Sequence, residues 1–175
     1  MPKTTLYEYS VIYSDRSYNL MSDEFISSMK YISNTLKKLY NSDYIALIPG
    51  SGTYAMESVA RQFAMNQKVL VIRNGYFSYR WSDIFNVCKI PSEEIVIKAT
   101  NLNNDKFPIF EPLPIGDIQR KIITNKPKVV FAPHVETSTG IMLPNEYLKS
   151  IASAAHQVGA IFILDCIASG NMWLD

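Results

Sequence analysis

Pro49-Gly50-Ser51-Gly52-Thr53, Glu136-Thr137-Ser138-Thr139-Gly140 and Asp165 each close an apolar run, and each offers groups that bind charge. In the first segment, Gly50 and Gly52 let the backbone approach a ligand closely. A helix beginning near Thr53 turns its free amides and positive dipole end into the same space. That is an anion site, with the Ser51 and Thr53 hydroxyls as further donors and a phosphate as the fitting anion. The plainer reading is a strand-to-helix connector with a cap. No Gly-Lys-Ser/Thr follows, so a nucleotide triphosphate loop is excluded by its missing lysine. Gly50-x-Gly52-x-x-Ala55 fits the dinucleotide fingerprint, and Arg73 closes the next strand where a reader of a 2′-phosphate would sit, so NADP binding is an alternative.

Asp165 follows five apolar residues at the mouth of an expected central strand, where a carboxylate without a partner is costly to desolvate. A protonated pyridine nitrogen would be such a partner, because the carboxylate keeps the proton on the ring and the ring draws electrons from a substrate carbanion. The competing reading is that Asp165 caps the turn into Ser169-Gly170. Thr137, Ser138 and Thr139 form a hydroxyl cluster able to orient a ring substituent or the aspartate; taken singly it is a polar turn. His134, Glu136, His156 and Cys166 have ligand chemistry but no paired-cysteine motif, so no metal site is expected. His156 lies on an expected helix and reads as surface or core-edge. Nothing beside Cys166 reads as an activating base, which argues against a thiol nucleophile.

The elements that position these residues alternate along the chain. Ser22, with Asp23 and Glu24, starts a helix whose apolar stripe Phe25, Met29, Ile32, Leu36 and Leu39 predicts core packing to about Tyr40. Strands are expected at Tyr44–Ile48, Val69–Ile72, Ile95–Ala99, Val129–Ala132 and Ala160–Leu164. Helices are expected at Tyr54–Met65, Ser78–Val87, Ile115–Ile123 and Glu146–Val158. The strands are unbroken apolar runs, as strands buried on both faces of a parallel sheet are. The fold class is therefore α/β, and ligands belong outside the carboxyl ends of the strands, where all three polar segments fall. The loop Thr100 to Leu113 is long enough for a lid or a partner contact.

With 175 residues, 47% hydrophobic and 19% charged, the chain suits one domain with a real core. Seventeen basic and sixteen acidic side chains give a net charge of +1 without a like-charge block, so a nucleic-acid footprint is not expected. No apolar run reaches membrane-spanning length, and Lys3 and Glu8 deny the N-terminus a signal-type core, which predicts a cytoplasmic protein. Cys88 and Cys166 read as buried free thiols.

Four motifs taken in order are more specific than any one. Ser51-Gly52-Thr53 followed by Ala55-Met56-Glu57, Asn74-Gly75-Tyr76-Phe77, His134-Val135-Glu136-Thr137-Ser138-Thr139-Gly140, and Leu164-Asp165-Cys166-Ile167-Ala168-Ser169-Gly170 together resemble class V pyridoxal-phosphate aminotransferases. The alanine–glyoxylate and serine–pyruvate branch is the most similar, from about Asp23 onward. The resemblance implies a three-layer, mostly parallel sheet of the fold-type-I transferase kind, with an incomplete large domain at 21–175 after an N-terminal arm at 1–20. It implies that Ser51, Gly52 and Thr53 bind the phosphate of pyridoxal 5′-phosphate and that Phe77 stacks on its ring. Thr137 would lie beside the ring and Asp165 would pair with its nitrogen. The substrates implied are alanine or serine and glyoxylate or pyruvate, in a homodimer. For Phe77 the competing reading is a core aromatic.

The chain departs from that pattern at both ends. The family's Gly/Pro-rich N-terminal substrate loop is not clear in Met1 to Leu20. No lysine occurs after Lys149, so the Schiff-base lysine expected beyond Asp165 is missing, as is the small domain whose arginine holds the substrate carboxylate. The expectation is an N-terminal part that does not convert alanine and glyoxylate alone, with a non-catalytic remnant as the alternative. The family's sheet also predicts that Tyr44–Ile48 lacks neighbours and that the isolated chain is unstable.

Overall fold

The computed structural model describes residues 19–103 and 105–170. The chain divides into two units, Met1–Ile48 and Pro49–Asp175. In the first, helix α1 spans Asp23–Leu39 and begins as expected, with the Ser22 hydroxyl accepting the Phe25 amide at 3.2 Å. It is not the core-packing helix the stripe predicts: none of its residues is buried, and Ile32 and Leu39 stay about two-fifths exposed. The strand expected at Tyr44–Ile48 is not formed either. Apolar composition alone does not make a strand, which exists only through a partner's amides and carbonyls. No described strand pairs with this segment, and Tyr44 is 87% exposed. The expected arm at 1–20 lies almost wholly outside the described residues.

The second unit follows the expected alternation closely. Its helices are α2 (Gly52–Phe63), α3 (Tyr76–Cys88), α4 (Ile115–Asn125) and α5 (Asn145–Gln157). The sheet strands are β1 (Lys68–Arg73), β2 (Glu93–Lys98), β5 (Val129–Pro133) and β8 (Ile161–Asp165), all parallel, in the order β2-β1-β5-β8. Two hairpins were not foreseen: β3 (Thr100–Asn101) with β4 (Phe110–Glu111) inside the long loop, and β6 (Val135–Glu136) with β7 (Ile141–Met142) inside the second polar segment.

Alternation along β1 and β5 buries both faces. Val69, Val71, Val129 and Phe131 pack with Ala60, Trp81 and Phe85 from α2 and α3, where Phe131 lies 4.6 Å from Trp81 and 5.2 Å from Phe85 between ring centres. Leu70, Ile72, Val130 and Ala132 pack with Ile118, Ile122, Ile151 and Ala155 from α4 and α5. Each buried Val, Leu, Ile or Phe among them contributes about 1.5–3 kcal/mol of burial, which fixes the sheet as a platform. Because the strands are parallel, the chain leaves β1, β5 and β8 at one common edge, and the loops there are brought together. Among the described residues no helix is long and apolar enough to cross a membrane.

Candidate functional site

At that edge a cavity of about 360 Å³ is lined by Ser51, Gly52 and Thr53 from the start of α2, Phe77 from α3, Thr137 after β6 and Asp165 at the tip of β8. Those are the six residues the sequence singles out for a cofactor, drawn from positions more than a hundred residues apart. Met56, Pro133, Val135, Ile167 and Ala168 supply apolar wall.

The anion end is built by the turn before α2. Gly50 has φ of +136°, a conformation open to glycine, and a Cβ there would lie 2.7 Å from the Tyr54 ring. Ser51 is the helix N-cap through its carbonyl, which accepts the amides of Tyr54 at 3.0 Å and Ala55 at 3.3 Å, while its hydroxyl makes no capping bond. Among the described residues nothing takes the amides of Ser51, Gly52 or Thr53. Helix first-turn donors of this kind need an acceptor from outside the helix.

Arg80, which sequence reasoning missed, also lines this wall and donates from Nη2 to the Thr53 hydroxyl. It takes no carboxylate partner among the described residues, so its charge adds to the helix dipole. A signal for it existed. Arg80 stands three residues after Phe77, which places both on one face of an amphipathic helix.

Phe77 is 41% exposed and belongs to neither core cluster, so the reading of it as a core aromatic is set aside. Its one ring neighbour among the described residues is Tyr76, edge-on at 5.8 Å. Asp165 does take part in a turn, Oδ1 accepting the Ile167 amide at 3.1 Å, yet Oδ2 has no hydrogen-bond partner among the described residues. The turn onward is held by Ser169, whose amide bonds the Cys166 carbonyl at 3.0 Å and whose buried hydroxyl meets His134 Nδ1 at 2.9 Å. Burial pushes the Cys166 thiol above its ordinary value, with the Asp165 charge adding to the rise and a bond with Ser169 opposing it. Both cysteines are half-buried and unpaired, not fully buried.

The second polar segment is a correction. Only Thr137 of its hydroxyls faces the cavity; Ser138 and Thr139 turn the other way, onto the chain before α3. Thr139 donates to the Asn74 carbonyl at 3.1 Å and Ser138 accepts the Tyr76 amide at 2.8 Å. Glu136, just before them, is fully buried and accepts from the Phe77 and Ser78 amides at 3.0 and 2.9 Å and from the Ser78 and Ser138 hydroxyls at 2.6 Å each. Burial alone would raise its pKa, but the two hydroxyls and two amides outweigh it and hold the carboxyl below its ordinary value.

The dinucleotide alternative loses its pairing. Arg73 is held by Ser82 at 3.3 Å and lies over the Tyr79 ring, lining a different cleft from Gly52. No strand leads into α2, so the strand-turn-helix context of that fingerprint is not met.

The donor set can be tested against a phosphorylated pyridine. Free amides, two hydroxyls and an arginine suit a phosphate ester; an exposed aromatic face suits a flat ring; a carboxylate with a spare oxygen suits a ring N–H. All three lie on one cavity, and the fit is good.

No family model matches the chain. It is 26% identical to alanine–glyoxylate aminotransferase 1 of Saccharomyces cerevisiae, over 85% of this chain and 38% of that protein. It is 32% identical to the (S)-ureidoglycine–glyoxylate transaminase of Bacillus subtilis, over 70% of this chain and 26% of that protein. The chain thus spans about a quarter to two-fifths of the length of these curated relatives. Among solved structures, ureidoglycine–glyoxylate aminotransferase from Bacillus subtilis superposes with a TM-score of 0.74 at 24% identity, covering 89% of this chain and 38% of that one. Alanine–glyoxylate aminotransferase from Nostoc sp. gives 0.71 at 20% identity, covering 88% and 38%. The fold is therefore part of a fold-type-I aminotransferase fold, as the motifs imply.

Proposed function

We propose that this chain, similar to amino acid–glyoxylate aminotransferases over a part of their length, forms the cofactor cradle of a class V pyridoxal-phosphate aminotransferase. The reaction proposed moves an amino group between alanine or serine and glyoxylate or pyruvate. The observation that supports it best is the single cavity walled by an open helix N-terminus with Arg80, by Phe77 and by Asp165.

Each residue has one task in this reading. The Ser51, Gly52 and Thr53 amides, the hydroxyls of Ser51 and Thr53 and the Arg80 guanidinium hold the phosphate. Phe77 offers a flat apolar face, and the Thr137 hydroxyl sits beside the ring. Asp165 Oδ2 holds a proton on the ring nitrogen, an interaction strengthened by the apolar wall around it. When bound, pyridoxal phosphate supplies a ring that withdraws electrons from the substrate's α-carbon.

Among the described residues no lysine lines the cavity, so binding by this chain is noncovalent and the chain by itself does not turn over. Residues 21–175 are part of the cofactor-binding large domain, and 1–20 an arm preceding it. A homodimer completes the proposal, on the strength of the family resemblance.

The test is a titration of the purified chain with pyridoxal phosphate. Saturable binding with free-aldehyde absorbance, no borohydride-fixed adduct at the cavity and no conversion of alanine plus glyoxylate is the expected result. Saturable binding of NADP(H) in its place would overturn the reading, and measurable transamination would overturn the claim of no turnover.

A further inference from the structure

We propose that Glu136 is a positioning residue: seated under the first turn of α3, it sets the place of Phe77 in the cofactor cavity. The proposal rests on the pyridoxal-phosphate reading of that cavity and adds a residue outside its lining.

All four unpaired amides at the start of α3 are satisfied. Gly75 donates to the Ser78 hydroxyl at 3.1 Å, Tyr76 to the Ser138 hydroxyl at 2.8 Å, and Phe77 and Ser78 to the two Glu136 oxygens. The hydroxyls of Ser78 and Ser138 donate to the same carboxylate, which completes its usual acceptor capacity of about four bonds. A fully buried anion here also meets the positive end of the helix dipole.

Close approach makes this possible. A Cβ on Gly75 would fall 2.3 Å from Ser138 Oγ and 2.7 Å from Glu136 Cγ, so any larger residue would push the hairpin off the helix. The hairpin itself fixes Glu136, through the register Val135 to Met142 and Glu136 to Ile141.

The ring of Phe77 belongs to neither core cluster, being 41% exposed with only Tyr76 as an aromatic neighbour among the described residues. Its backbone is therefore what locates it, and its amide is one of the four groups on Glu136. Moving that amide moves the ring. Glutamine keeps the shape but turns one acceptor into a donor, placing it against an amide and a hydroxyl that also donate.

The experiment is a double-mutant cycle on pyridoxal-phosphate binding by the purified chain, using Glu136→Gln, Phe77→Ala and both together. Kd and the visible circular dichroism of the bound cofactor are the readouts. The expected result is about tenfold weaker binding and a changed dichroic band for Glu136→Gln, with most of both changes gone in the Phe77→Ala background. Equal loss in both backgrounds, or an unchanged band, would overturn the positioning role. Ser138→Ala, which removes one donor to Glu136 and the acceptor of the Tyr76 amide, repeats the cycle if Glu136→Gln does not fold, with the same outcomes deciding. Absence of binding by the unmutated chain would count against the cofactor reading itself, whereas binding with additive effects would count against Glu136 alone.

Discussion

Two helices of similar length, α2 and α3, begin near the same cavity, and their N-termini are finished in opposite ways. The first-turn amides of α3 are all taken up inside the protein, by Glu136, Ser138 and Ser78. Those at Ser51, Gly52 and Thr53 of α2 have no acceptor among the described residues, and the cation Arg80 stands beside them. A helix end closed by its own protein is fixed in position; one left open keeps its amides available to an acceptor from outside the helix.

The comparison can be broken from either side. The largest effect is expected from Glu136→Ala, which strips acceptors from two amides and two hydroxyls in a buried place and should destabilise the chain by about 3 kcal/mol, measured by urea unfolding. Wild-type stability should change little above the ordinary carboxylate pKa. It should fall as pH drops from there through the lowered folded value, because the unfolded chain takes up the Glu136 proton first. Glu136→Gln should flatten that part of the acid profile. On the open side, Asp165→Asn should weaken pyridoxal-phosphate binding about thirtyfold, or about 2 kcal/mol, through loss of the charge on the ring proton. Arg80→Gln should weaken it about tenfold while leaving pyridoxal, which has no phosphate, unaffected. Ser51→Ala should have the smallest effect, about threefold, since one neutral hydroxyl is removed and the amides remain. If Arg80→Gln weakened pyridoxal equally, α2 would not be the phosphate end.

Most of the sheet is legible because the central strands β1 and β5 are buried by both neighbours and so read as unbroken apolar runs, Val69–Ile72 being the plainest. Tyr44–Ile48 has the same look and forms no strand, since a run of apolar residues does not state whether a partner lies alongside. The six cavity residues were reached through ordered motifs, not single positions. In the sequence Glu136 is an acid in a polar turn with ligand chemistry, and nothing there marks it as a helix cap. Its partners at Phe77 and Ser78 lie 59 and 58 residues away, and the parallel pairing of β1 with β5, which sets the following loops side by side, brings them together. Ser138 and Thr139 differ from expectation for the same reason: hydroxyls in a row do not reveal which side of the turn between β6 and β7 they take.

On the proposed reading, the open start of α2 and the Asp165 carboxylate grip two ends of one molecule. Calorimetric titration with pyridoxine 5′-phosphate, which has no aldehyde to react with surface lysines, tests it most directly when pyridoxine is run beside it and both are repeated on Asp165→Asn. Saturable binding is expected, falling by about a hundredfold when the phosphate is removed and by a further, separate factor when the carboxylate is neutralised. Binding that ignores either change would contradict it.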